Sequence, residues 1–207
     1  MIDAYDKLPV GDYVKIAEVA GRPYDEEIDR QMEIISILAG ISIEEVGDIS
    51  IVEYPEYVLG TSFLEQPCPK VELKDSYTIG GYDLVPLKDY RNMTTSQYVD
   101  FQTFAKRGQS AFVEELSCLL IPKGCSYNKG YDIVALQQAL RTEMMTPDAM
   151  ALLTFFFDSW LTLIADSLAS LASAAKTARA EEAKVMLTTV KLLKEDVLRI
   201  VGDGFLV

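Results

Sequence analysis

Thr146-Pro147-Asp148-Ala149-Met150-Ala151-Leu152-Leu153-Thr154-Phe155-Phe156-Phe157-Asp158-Ser159-Trp160-Leu161-Thr162-Leu163-Ile164-Ala165-Asp166-Ser167 decides the fold class. Threonine before proline is a strong helix start, because proline at the first helical position lacks an N–H that no intrahelical carbonyl would have accepted. From there to Val201 the chain has neither Pro nor Gly. Thr154, Asp158, Thr162, Asp166 and Ser170 recur every fourth residue and draw one polar stripe along an otherwise apolar helix. Carboxylates inside a bilayer are costly, and a one-sided stripe is what a packed amphipathic helix needs. The stretch therefore reads as a core helix and not as a membrane span.

Beyond it, residues 169–180 are rich in Ala and Ser, with strong helix propensity and little to bury. They form either a bend between two antiparallel helices or the middle of one long arm, and ordinary helix lengths favour the bend. Over residues 183–200, Ala183, Met186, Val190, Leu193, Val197 and Ile200 alternate spacings of three and four, a heptad seam of about two and a half repeats. Gly202 and Gly204 end it, and Phe205-Leu206-Val207 is an apolar tail. Met186, Val190, Leu193, Val197, Ile200, Phe205 and Leu206 are the candidate interface residues.

Upstream, helix signals dominate. Pro9, Gly11, Gly21 and Pro23 leave room for only a short element at 13–19. Asp25 then reads as an N-cap, with Glu26 and Glu27 in a first turn whose dipole favours acids. Ile28, Met32, Ile35 and Leu38 share one face, and Gly40 is a C-cap. Ser42 with Glu45 repeats the start signal. A further helix covers about 53–64 until Pro67 and Pro69. Later helices start at Thr94 or Thr95, near Ser110 and at Asp132. The period changes only over 71–85, where Val71, Leu73, Tyr77 and Ile79, the pair Gly80-Gly81, and Tyr82, Leu84 and Val85 read as a β-hairpin. A lone hairpin is marginal in water, so it must pack on helices or pair with another chain. The expectation is a mainly α protein. Residues 1–145 form a helical domain with one hairpin at about 71–85, and 146–207 form a long helical arm or hairpin with an apolar tail.

Composition narrows the function classes. With 49% hydrophobic and 25% charged residues the chain is ordinary folded protein. A net charge of −13 opposes sequence-specific nucleic-acid binding, which depends on clustered Lys and Arg. The imbalance lies in the first ninety residues, with 19 acids against 7 bases. Such a surface is a solvated face, a dock for a basic partner, or a wall to which DNA does not stick.

No histidine is present, which removes the commonest general base and transition-metal ligand and every Ser-His or Cys-His pair. Cys68, Cys118 and Cys125, an odd set without CxxC spacing, read as reduced thiols of a cytosolic compartment. A Cys118–Cys125 link is the alternative. The N-terminus Met1-Ile2-Asp3-Ala4-Tyr5-Asp6 has neither a basic nor an apolar leader region. Acidic pairs such as Glu26-Glu27, Glu44-Glu45, Glu114-Glu115 and Glu181-Glu182 point about 100° apart on a helix and read as solvated surface, not as metal or acid–base sites. Catalytic, cofactor and metal residues are therefore expected to be absent. Of eleven tyrosines, eight, among them Tyr54, Tyr57, Tyr127 and Tyr131, fall near element ends or in loops, and with the hairpin, the seam and the tail they lean toward a protein that works by contact.

Three stretches carry a resemblance. They are residues 27–46 around Leu38-Ala39-Gly40-Ile41-Ser42, then residues 87–102 with Met93-Thr94-Thr95-Ser96-Gln97-Tyr98-Val99-Asp100-Phe101-Gln102, and finally Leu119-Leu120-Ile121-Pro122-Lys123-Gly124 followed by Gly130-Tyr131-Asp132-Ile133. Together, over roughly 25–145, they resemble proteins of the structural-gene regions of tailed bacteriophages, especially crAss-like gut phages. The resemblance implies a virion or morphogenesis component that forms homo-oligomers and contacts the portal and neighbouring neck or tail subunits. It would reside in the virion, and in the host cytoplasm during assembly. One version is a ring subunit at the portal–tail junction. The other is a tail-assembly chaperone absent from the finished particle. A small enzyme using carboxylates alone is a third reading, to be revived by Asp or Glu residues converging in one pocket.

Overall fold

Helical propensity and capping account for most of the architecture. The structure is a computed structural model that describes residues 1–177. It is mainly α, with eight α-helices and one small antiparallel sheet. The first four helices are α1 (Val10–Gly21), α2 (Glu27–Ala39), α3 (Ile43–Gly47) and α4 (Tyr54–Thr61). The sheet comprises β1 (Tyr77–Ile79), β2 (Tyr82–Pro86) and β3 (Leu120–Pro122), in the order β1-β2-β3. The remaining helices are α5 (Thr95–Ala105), α6 (Phe112–Leu119), α7 (Ile133–Glu143) and α8 (Thr146–Thr177).

Three helix starts follow the side-chain chemistry read above. Ser42 and Glu45 close a reciprocal capping box on α3, and Thr94 and Gln97 do the same on α5. Asp132 Oδ1 accepts from the N–H groups of Val134 and Ala135 at the head of α7. Gly40 ends α2 in the left-handed conformation. Two expectations need correction. The N-cap of α2 is Glu26 and not Asp25, and no side chain caps it. More telling, residues 10–21 form a twelve-residue helix with glycines inside it, where the breakers left room only for 13–19. Gly11 is there for contact: a Cβ at that position would lie 2.7 Å from the Arg141 carbonyl oxygen of α7.

The hairpin is shorter and better supported than its sequence pattern. Residues 71–76 are not strand; Leu73 packs on the core while Val71 stays exposed. Gly80 and Gly81 have φ of 59° and 75°, and the two-residue turn they make matches the twist of the flanking strands. Leu120–Pro122, directly after α6, pairs with β2, with Leu84 opposite Pro122 and Pro86 opposite Leu120. This third strand, together with β1 lying against α7, supplies the partner the hairpin needed within the chain.

One large core joins α1, α5, α6, α7, the sheet and the first half of α8, through Val14, Leu84, Leu116, Leu119, Leu140, Leu152 and Phe156 among others. Each such side chain contributes about 1.5–3 kcal/mol on burial. A satellite cluster of Leu8, Ile16 and Leu38, with Phe63 against Tyr5, binds the N-terminal helices to the back of α1. The chain start is stitched to the α7–α8 corner. Val10 N–H donates to the Met144 carbonyl at 2.9 Å, and Thr146 N–H donates to the Leu8 carbonyl at 2.9 Å.

Helix α8 is continuous through Thr177, with no bend over 169–177, and the rest of the expected 169–180 bend region lies outside the described residues. Among the described residues its buried side chains include Thr146, Ala149, Leu152, Leu153, Phe156 and Trp160. Phe101 of α5 packs its ring, tilted, against Phe156 at 4.7 Å and Phe157 at 6.1 Å, and Phe157 meets Trp160 at 6.3 Å. The polar stripe at Thr154, Asp158, Thr162, Asp166 and Ser170 is exposed along its whole length. Thr146–Ser167 is long and apolar enough to cross a membrane, and its first half is packed into the core.

Candidate functional site

Helix α6 sits at the centre of the core, and seven of its eight residues are buried. Two polar faces run along it. Toward α7, Arg141 donates to Glu114 Oε1 at 2.7 Å and Gln137 donates to the Ser117 hydroxyl at 3.0 Å. Toward α5, Gln97 Nε2 donates to the Cys118 carbonyl at 2.6 Å, in full burial. On that side Tyr127 donates its hydroxyl proton to Asp100 Oδ2 at 2.9 Å. That proton being engaged, the Cys118 thiol is the donor in its 3.4 Å contact with Tyr127, with the Glu114 carbonyl as alternative acceptor.

Glu115 lies one turn before Cys118 on the same side of α6 and is only 2% exposed. Its Oε1 has no hydrogen-bond partner. Burial pushes its carboxyl up to about 8, so it is a neutral acid at neutral pH. Burial likewise pushes the Cys118 thiol up to about 12, with Asp100 and Glu115 adding to the rise and the Tyr127 contact opposing it. The Tyr127 hydroxyl is raised by the same burial and by its two partners. Of Glu114-Glu115, expected on a solvated surface, Glu115 is thus buried and Glu114 is half-buried and fixed by Arg141. A thiol so raised is not a nucleophile near neutral pH, and the cluster's chemistry is that of a packed polar core. The three cysteines are free thiols.

A cavity of about 240 Å³ opens where β1 meets the α7–α8 corner, lined by Lys74, Tyr77, Thr78, Glu143, Met144 and Asp148 among others. It brings two carboxylates into one concavity, the condition set for the enzyme reading. Both are engaged: Glu143 Oε2 accepts from Gly80 N–H at 2.8 Å, and Asp148 Oδ2 pairs with Lys74 Nζ at 2.6 Å. Lys74 Nζ also lies 5.6 Å from the centroid of the Tyr77 ring. The arrangement pins the hairpin tip and the 66–76 segment to the helical corner. Among the described residues no group of three or more Asp, Glu or Cys side chains is placed to hold a metal ion.

The exposed surface is more suggestive. Tyr54 N–H donates to the Ser50 carbonyl at 2.9 Å, so the turn at 50–54 runs helically into α4. Val52, Pro55 and Leu59 then share one outward face. Val52 is 82% exposed, Leu59 71% and neighbouring Ile51 85%. No residue of α4 is buried. Sequence reasoning missed this face because it attended to helix boundaries. The signal was present in adjacent branched aliphatics, Ile51-Val52, inside an acidic run. Met186, Val190, Leu193, Val197, Ile200, Phe205 and Leu206, the interface residues expected from sequence, all lie outside the described residues.

No protein-family model, curated protein or solved structure matches the chain.

Proposed function

We propose that this chain is a structural subunit of a tailed-phage virion, a ring protein at the portal or neck–tail junction that works through protein–protein contacts and not through catalysis. The observation that carries this reading is α8. Its first half is anchored in the core by Leu152, Leu153, Phe156 and Trp160, while Asp166, Ser167, Ala169, Ser170 and Ser173 beyond them are exposed. A helix that leaves its own core presents a surface for another molecule. The resemblance of residues 25–145 to phage structural proteins supplies the context. The acidic surplus of the first ninety residues suits a conduit through which DNA slides without sticking.

The aliphatic face of α4 favours a second reading, a tail-assembly chaperone that shields an aggregation-prone client in the infected cell. Quantitative mass spectrometry of purified virions separates the two. Presence at the copy number of the portal ring is expected for the neck subunit. Abundance in infected-cell lysate with absence from virions overturns that reading in favour of the chaperone. Truncation before Ala178 is expected to abolish assembly while leaving the 25–145 region folded.

A further inference from the structure

We infer that the exposed face of α4 is the docking site for residues 183–200 of a second copy of this chain. This rests on the contact-forming reading above and names its partner. Residues 31–69, which include α4, hold seven acids and no lysine or arginine. Glu53 and Glu56 are exposed and flank the line that carries Val52, Pro55 and Leu59. Their complement must therefore combine apolar groups with positive charge. Residues 183–200 do so within this sequence. Lys184, Lys191, Lys194 and Arg199 outnumber Glu195 and Asp196, and Met186, Val190, Leu193 and Val197 keep the three-and-four spacing of an apolar helical stripe.

The spacings also agree. Val52 and Leu59 are seven residues apart, as are Met186 and Leu193. Seven residues rise about 10.5 Å along a helix, the repeat at which two apolar seams interdigitate. The occupant comes from another copy because a surface used head-to-tail joins identical subunits into a ring wherever the rotation between them closes, as the ring reading above requires.

The test measures the mass of the full-length protein by light scattering over a range of concentrations, with circular dichroism as the check on folding. Wild type is expected to self-associate. Leu59→Asp, on a side chain already exposed, is expected to keep the fold and weaken association about tenfold or more. Reversing charge on α4 with Glu53→Lys and Glu56→Lys, or on the other side with Lys184→Glu and Lys191→Glu, is expected to weaken it, and the four changes together to restore it. A monomeric wild type, association untouched by Leu59→Asp, or no restoration by the combined variant overturns the inference. A monomer that is nonetheless found in virions sinks only this docking. An oligomer that responds as stated but is absent from virions sinks only the virion role.

Discussion

Thr146 donates its side-chain hydroxyl to the carbonyl oxygen of Leu8 at 2.8 Å, across a sequence separation of 138 residues. Both residues are fully buried. Threonine at this helix start was expected as a cap, and its hydroxyl instead ties the first turn of α8 to the chain's beginning. Thr146→Val keeps the shape and leaves the Leu8 oxygen its second donor, the Thr146 N–H. The loss should therefore be about 1 kcal/mol, read as a lower urea midpoint with an unchanged slope.

Glu115 makes stability depend on pH. Its folded value of about 8 stands above its unfolded value of 4.5, so the folded state holds a proton that the unfolded chain releases. The contribution is complete below about pH 4.5 and is lost as pH rises through about 8, at no more than roughly 1.4 kcal/mol per pH unit. Glu115→Gln, neutral throughout, should flatten the decline in urea midpoint between pH 5 and pH 8. An unchanged slope against pH would place the titration elsewhere.

Cys118 should be silent to thiol reagents in the native protein. It is fully buried, and a thiol near 12 leaves almost no thiolate at pH 8. Ellman's reagent is expected to titrate Cys68 and Cys125, both partly exposed, and to reach the third thiol only in denaturant. Rapid modification of all three would show that the Tyr127–Asp100 side of α6 opens in solution.

The two turn glycines should differ in cost. Both need positive φ, so alanine at either is strained by about 1–2 kcal/mol. Gly81 has open space around it, whereas a Cβ on Gly80 would lie 2.6 Å from Ala139 Cβ. Gly80→Ala should therefore lower the thermal midpoint more than Gly81→Ala, and Ala139→Gly should recover part of the difference.

Much of the fold was legible because local chemistry and tertiary packing agree at particular residues. The capping boxes at Ser42 and Thr94, the Asp132 cap, and the Gly80-Gly81 turn each act within four residues, so a short window contains the whole cause. The misreadings share the opposite property. Gly11 looks like a breaker until Arg141, far along the chain, is laid against it. Leu120-Ile121-Pro122 looks like a helix end until β2 offers it a ladder. Glu115 looks like surface because a neighbouring glutamate is the usual sign of solvent, and only the packing of α6 on all sides reveals otherwise. For the candidate interface, the apolar line at Val52 and Leu59 was visible in the letters, but its exposure depended on which face of α4 turned outward.

Helix α8 continues from the buried Trp160 to Thr177. At 1.5 Å per residue that is a rigid span of about 25 Å. A span of that length acts as a spacer and a lever at once. Whatever grips its far end is held at a set distance from the sheet, and a sideways push there arrives at the Phe101–Phe156–Phe157–Trp160 aromatic seam as torque. The seam's tilted and edge-on rings, and not the helix itself, would then set how far that end can swing.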